Sequence, residues 1–173
     1  KNDVEIVDLG IVDDSIVANE VAVKFNAEDV DVIFCNMITY ATSSVFAPVL
    51  RNCPAPMILL ALQPRIAMDY TKAYTFMQLE NDNICSVPEF CGVATRMNKP
   101  IHDIIIGTLY NDKKAEEGIK EWCLIGKTLR KMKGARIALM GHVLEAMYDM
   151  HTDPTQVLTH LVFMCPYLRL TTF

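Results

Sequence analysis

Short apolar runs alternate along this chain with longer stretches in which apolar residues recur every three or four positions. The short runs, Val4–Leu9, Val30–Met37, Met57–Leu62 and His102–Leu109, read as strands. The first three are rich in Val, Ile and Leu instead of strictly alternating, which is the composition of strands covered on both faces. Strands that alternate with helix-length segments imply parallel pairing through helical crossovers. The expected class is therefore α/β, an open parallel sheet with helices on both faces.

Helix signals fill the intervals. Asp13 or Asp14 is placed to cap a helix running through Lys24, and Ser43 or Ser44 a short one before Arg51. Ser86 precedes Pro88 and Glu89, which predicts a helix start with a side-chain cap, a proline in the first turn and a carboxylate near the positive end. The clearest helix is Ala115–Lys133, where Ile119, Trp122, Cys123, Gly126 and Leu129 form an apolar stripe that predicts a largely buried Trp122. Glu116 and Glu117 sit near its start, Arg130, Lys131 and Lys133 near its end, and Gly134 closes it. Another strand pattern, Arg136–Met140, follows at once. The domain boundary is accordingly expected near Gly134, with residues 1–133 forming a first α/β domain and 134–173 the start of a second, similar one. A chain that opens without Met and enters a strand pattern directly reads as a piece of a longer protein whose first strand is missing. Beyond Gln156, Val157–Met164 fits helix and strand periods equally.

Composition removes several functions. No apolar run reaches the roughly 18 residues of a membrane helix, and no signal peptide is visible. The net charge is -5 with basic residues dispersed among acids, which argues against a nucleic-acid surface. The densest basic run, Lys127–Arg136, falls at a helix end where positive charge is favourable. Six cysteines stand without C-x-x-C pairs, several inside apolar runs, and read as reduced core thiols in a cytoplasmic protein.

Motifs of nucleotide and acyl chemistry are absent: there is no Walker loop, no G-x-G-x-x-G spacing and no G-x-S-x-G elbow. Ser43 and Ser44 read as helix-start residues, Cys85 as a buried or loop thiol, and His102 as a core or edge histidine. His142, Asp149, His151 and Asp153 could be drawn as a metal site, but their spacing matches no ligand pattern. Two of them would lie two helical turns apart, and Asp153 before Pro154 is better explained as a helix cap. Gln63 is the stronger candidate. It ends an apolar strand directly before Pro64, at the carboxyl edge where open α/β sheets bind ligands, and an amide can both donate to and accept from sugar hydroxyls. His142, after Gly141, holds the matching place in the second domain.

Three blocks carry a family resemblance. Gly134–Gln156 (GARIALMGHVLEAMYDMHTDPTQ) is similar to the strand, Gly-His turn and Asp-Met stretch of bacterial L-fucose/L-arabinose isomerase-like proteins. Pro56–Tyr70 (PMILLALQPRIAMDY) resembles that family's strand ending in Leu-Gln-Pro, and Cys85–Glu89 (CSVPE) its following helix start. The resemblance covers the chain from Val4 to about Gln156, and the tail Cys165–Phe173 departs from it. It implies Rossmann-like, flavodoxin-like amino-terminal domains of a metal-dependent aldose-ketose isomerase. In that family a divalent metal, usually manganese, and carboxylates move a proton through an enediol. The family's metal ligands and proton-shuttling residues belong to segments that would follow Phe173, so no catalytic residue and no bound metal is assigned here. What the resemblance implies for these residues is sugar contact, through Gln63 and His142, and a homo-oligomer with active sites at subunit boundaries. An alternative is a non-catalytic sugar-binding module of the periplasmic type, which is also built from two such lobes.

Overall fold

The computed structural model of the protein describes residues 4–140, 146–147, 153–161 and 167–168. In order these form α1 (Ser15–Ala27), β1 (Ile33–Asn36), α2 (Ser43–Asn52), β2 (Met57–Gln63), α3 (Thr75–Glu80), a 3-10 turn (Asn83–Cys85), α4 (Ser86–Arg96), β3 (Asp103–Thr108) and α5 (Lys113–Lys133). After these come β4 (Leu139–Met140), α6 (Pro154–Leu161) and β5 (Tyr167–Leu168). Two compact units divide the chain within α5, Lys1–Leu124 and Ile125–Phe173.

The first unit is built on a parallel sheet in the order β1-β2-β3, with Cys35 opposite Leu59, Leu60 opposite Ile105 and Gln63 opposite Thr108. Side chains alternate across it. Ile33, Cys35, Met57, Leu59, Ala61 and Ile104 point to the face packed by α1, α2 and α4, through residues such as Ala18, Phe46 and Phe90. Phe34, Ile58, Leu60, Leu62 and Ile105 point to the other face, where α5 supplies Ala115, Ile119 and Trp122. Both faces of β2 are thus apolar, and its first five residues are buried. The continuous Val/Ile/Leu runs have their physical reason here, and the α/β class is as expected.

Capping sets the helix limits. Asp14 Oδ1 accepts from the backbone N–H of Ile16 (2.7 Å) and Val17 (2.8 Å), fixing the start of α1. Asp112 does the same for α5 through Lys114 N (3.0 Å) and Ala115 N (3.1 Å), so that helix begins two residues ahead of the expected Ala115. Its close approach to the sheet needs Gly118, where an added Cβ would stand 3.1 Å from Ile105 Cδ1.

Several expectations are corrected. Val4–Leu9 forms no strand: no backbone partner lies beside it among the described residues, and a strand without a neighbour gains no ladder. Trp122 is half-buried, because its indole covers the amino end of β3 and Nε1 reaches Asp103 Oδ2 at 2.7 Å. The buried residues of α5 are instead Ala115 and Gly126. The α2 start is capped by neither Ser43 nor Ser44. Thr42 holds the cap position without a side-chain cap bond, and a carboxylate from α4 takes over that role.

In the second unit β4 pairs in parallel with β5, Leu139 opposite Tyr167 and Met140 opposite Leu168. Of the ambiguous segment after Gln156, Val157–Leu161 belongs to a helix, α6, with Pro154 first and Asp153 Oδ1 accepting from Thr155 N (2.8 Å), and residues 162–164 lie outside the described residues. Among the described residues no helix is long and apolar enough to cross a membrane. Cys35, Cys53, Cys85, Cys91 and Cys123 are free thiols, and Cys165 lies outside the described residues.

Candidate functional site

The loops that leave β1, β2 and β3 gather at the carboxyl edge of the sheet. Gln63 is the last residue of β2, half-buried, with its carbonyl accepting from Leu109 N at 2.8 Å. Its side-chain Nε2 donates to Asn81 O at 3.0 Å, which fixes the amide plane, while Oε1 makes no hydrogen bond among the described residues. Asn81 also holds the chain after Pro64, since its Oδ1 accepts from Arg65 N at 3.2 Å. An ion pair between Arg65 and Glu80 (3.1 Å) closes the same loop from outside.

Asn83 lies beneath. It is fully buried, its Nδ2 donates to Leu62 O at 2.8 Å, and its Oδ1 has no partner among the described residues. Burying such an acceptor without a partner costs roughly 1–3 kcal/mol.

Two residues of the Cys85–Glu89 block hold the loop after β1. Ser86, fully buried, accepts at Oγ from Ala41 N (2.7 Å), and does not cap its own helix as its position predicts. Glu89 reaches across to the start of α2, accepting from Ser43 N at Oε1 (2.7 Å) and from Tyr40 Oη at Oε2 (2.8 Å). The Ser43 amide, with the Tyr40 hydroxyl, holds the Glu89 carboxyl below its usual range. Tyr40 is pushed above its own range by the same carboxylate. Glu89 is therefore an ionised cap and not a proton donor near neutral pH.

Cys85 is exposed, but its Sγ donates to Asp82 Oδ1 at 2.7 Å, and that carboxylate pushes the thiol up. A helix start that would activate a thiol is here outweighed by a neighbouring anion. His102 is exposed at the opposite, amino end of the sheet, where Nδ1 accepts from Met57 N (3.1 Å). It is an edge histidine with a backbone task. Of the four residues that could be drawn as a metal site, His142, Asp149 and His151 lie outside the described residues, and Asp153 caps α6. No group of three His, Cys, Asp or Glu that could hold a metal ion occurs among the described residues.

A cavity of about 500 Å³ runs along the free side of β1, lined by Asp8, Gly10, Val12, Asn36, Met37 and Tyr40 among others. Gln63 does not line it. The edge around Gln63 is instead an open surface with exposed Tyr40, Ile66, Tyr70, Tyr74 and Tyr110 on its loops and Phe76 on α3.

Sequence reasoning picked out Gln63 and missed Asn81, Asn83 and the reach of Ser86 and Glu89. The Asn-Asp-Asn run signals a turn, but nothing local ties it to a strand end about 20 positions earlier. No family model matches the chain, and no curated protein does.

Proposed function

We propose that this chain is the non-catalytic amino-terminal portion of a metal-dependent aldose-ketose isomerase of the L-arabinose/L-fucose type, supplying sugar contacts and subunit contacts. One observation carries the reading. The Leu62–Pro64 and Cys85–Glu89 blocks, which carry much of the resemblance and are about 20 residues apart, meet at one sheet edge: Asn83, just ahead of Cys85, bonds Leu62, and Ser86 and Glu89 hold the loop after the adjacent strand. Ligands of open α/β sheets bind beyond that edge.

Gln63 is the residue proposed to touch substrate. With one N–H tied to Asn81, its Oε1 presents a fixed acceptor for a sugar hydroxyl. The exposed tyrosines, Ile66 and Phe76 around it form the kind of aromatic-rich surface that a neighbouring subunit covers. His142 is likewise proposed as a sugar contact. Manganese and the proton-moving carboxylates would be supplied by other segments, and the protein works in the cytoplasm as a homo-oligomer. The test is isomerase activity of the natural-length protein and its response to Gln63→Ala.

A further inference from the structure

The end of β2 is gripped by the short turn that precedes α4. Leu62 packs on the α5 face of the sheet, and successive strand side chains alternate, so Gln63 turns to the face where α4 begins. There residues 81–83 hold the chain at three points. Asn81 O accepts from Gln63 Nε2 (3.0 Å), Asn81 Oδ1 accepts from Arg65 N (3.2 Å), and Asn83 Nδ2 donates to Leu62 O (2.8 Å).

The Leu62 bond stands where the sheet runs out. The carbonyls of Met57 and Gln63 serve β3, accepting from His102 N (2.9 Å) and Leu109 N (2.8 Å). The intervening carbonyls face β1, which ends at Asn36 opposite Leu60, and Met37 N gives the last bond from that side, to Leu60 O at 3.2 Å. Carbonyls two residues apart on a strand point the same way, so Leu62 O lies past the end of β1. It receives no backbone N–H among the described residues. Asn83 supplies the donor that a longer β1 would have given. Because a carbonyl oxygen only accepts, Nδ2 must face it, and the buried Oδ1 points away without a partner among the described residues. Whatever hydrogen bonding the Asn83 side chain contributes there passes through Leu62.

The Asn83–Leu62 and Asn81–Gln63 bonds join the same two segments, and neighbouring bonds in one network support each other. With Leu62 clipped, Asn81 O stays within reach of the Gln63 amide; without the clip, strand end and turn are free to part. We propose that Asn83 is a positioning residue for Gln63: its clip on the Leu62 carbonyl keeps Asn81 O against Nε2, so that Oε1 stands in one place for a sugar hydroxyl. The inference rests on the reading of Gln63 as a sugar contact.

Two measurements test it. Hydrogen exchange of the Gln63 Nε2 protons, followed by NMR, is expected to be at least about fivefold faster in Asn83→Ala than in the parent. The Ala41 amide, held by Ser86 Oγ at 2.7 Å, should keep its rate. Unchanged exchange at Gln63 overturns the proposal, and so does an equal acceleration at Ala41, which would mean general loosening. Asn83→Ser, whose side chain is one bond too short for Leu62 O, replaces Asn83→Ala if that variant does not fold. In steady-state kinetics of the natural-length protein with L-arabinose and L-fucose, Asn83→Ala is expected to raise KM with kcat changed less than about twofold. Added to Gln63→Ala it should cost nothing further, because both act through one contact. A loss in the double variant equal to the product of the single losses overturns the proposal. A parent protein that turns over neither sugar, yet shows the faster Gln63 exchange in Asn83→Ala, overturns the sugar reading while the positioning of Gln63 by Asn83 stands.

Discussion

Replacing Phe90 by Ala should unfold the first unit far more readily than any change on the α5 face. Phe90 is 1% exposed, and its ring stacks on Phe46 with centroids 4.2 Å apart and planes 6° from parallel. Truncating a buried Phe costs about 3–5 kcal/mol through lost transfer energy and the cavity left behind. The stack adds roughly 0.5–1.5 kcal/mol beyond burial, so about 4 kcal/mol is expected. That is a large part of the roughly 5–15 kcal/mol that holds a domain folded. Trp122→Ala, on the other face, removes a half-buried ring and should cost about half as much. Urea denaturation followed by far-ultraviolet circular dichroism measures both, and Trp122 fluorescence gives an independent probe for Phe90→Ala. Phe46→Ala and the double variant complete a cycle whose coupling should be about 1 kcal/mol. A Phe90→Ala cost within about 0.5 kcal/mol, the surface range, would refute the packing of α2 on α4.

Three further outcomes are expected. Ser86→Ala leaves the Ala41 amide without its acceptor and should cost about 1–3 kcal/mol in the same denaturation assay, whereas Ser86→Thr, which keeps the oxygen, should cost less. For thiols, burial pushes Cys35 up to about 12 and Cys53 in the same direction, so both should resist a disulfide reagent at pH 8 in the native state. Cys85 should react slowly though exposed, and Asp82→Asn should speed it; an unchanged rate would show that Asp82 does not control the thiol. Glu89 and Asp112 have folded-state carboxyls held low by backbone amides. Their contribution is therefore present above the unfolded carboxyl range near pH 4 and is lost as pH falls through the lower folded values. Thermal midpoints between pH 7 and 3 should fall less steeply for Glu89→Gln than for the unchanged protein, and equal slopes would count against the cap.

Much of the fold is visible in the sequence because burial on both faces leaves an unmistakable run such as Met57–Leu62, and because Asp14 and Asp153 carry the local chemistry of a cap. Val4–Leu9 has the same apolar pattern without the neighbour that would make it a strand, and pairing is a property of two segments. Ser86 and Glu89 show the complementary failure. Their spacing is that of a capping box for their own helix, yet both are drawn to the loop after β1, where Ala41 and Ser43 present unpaired amides. Gln63 could be found from sequence because strand and proline mark its place, while Asn81 reaches it, and Asn83 its neighbour Leu62, through a loop whose path no local signal records.

The proposed function is tested most directly by steady-state kinetics of the natural-length protein with manganese, assaying interconversion of L-arabinose, L-fucose and D-arabinose with their ketoses. Turnover of at least one is expected, with Gln63→Ala lowering kcat/KM about 2- to 13-fold, the worth of one hydrogen bond of roughly 0.5–1.5 kcal/mol. The isolated 173-residue chain should show none above a metal-only control. Absence of aldose-ketose turnover in the natural-length protein, or a Gln63→Ala variant kinetically identical to the parent, would contradict it.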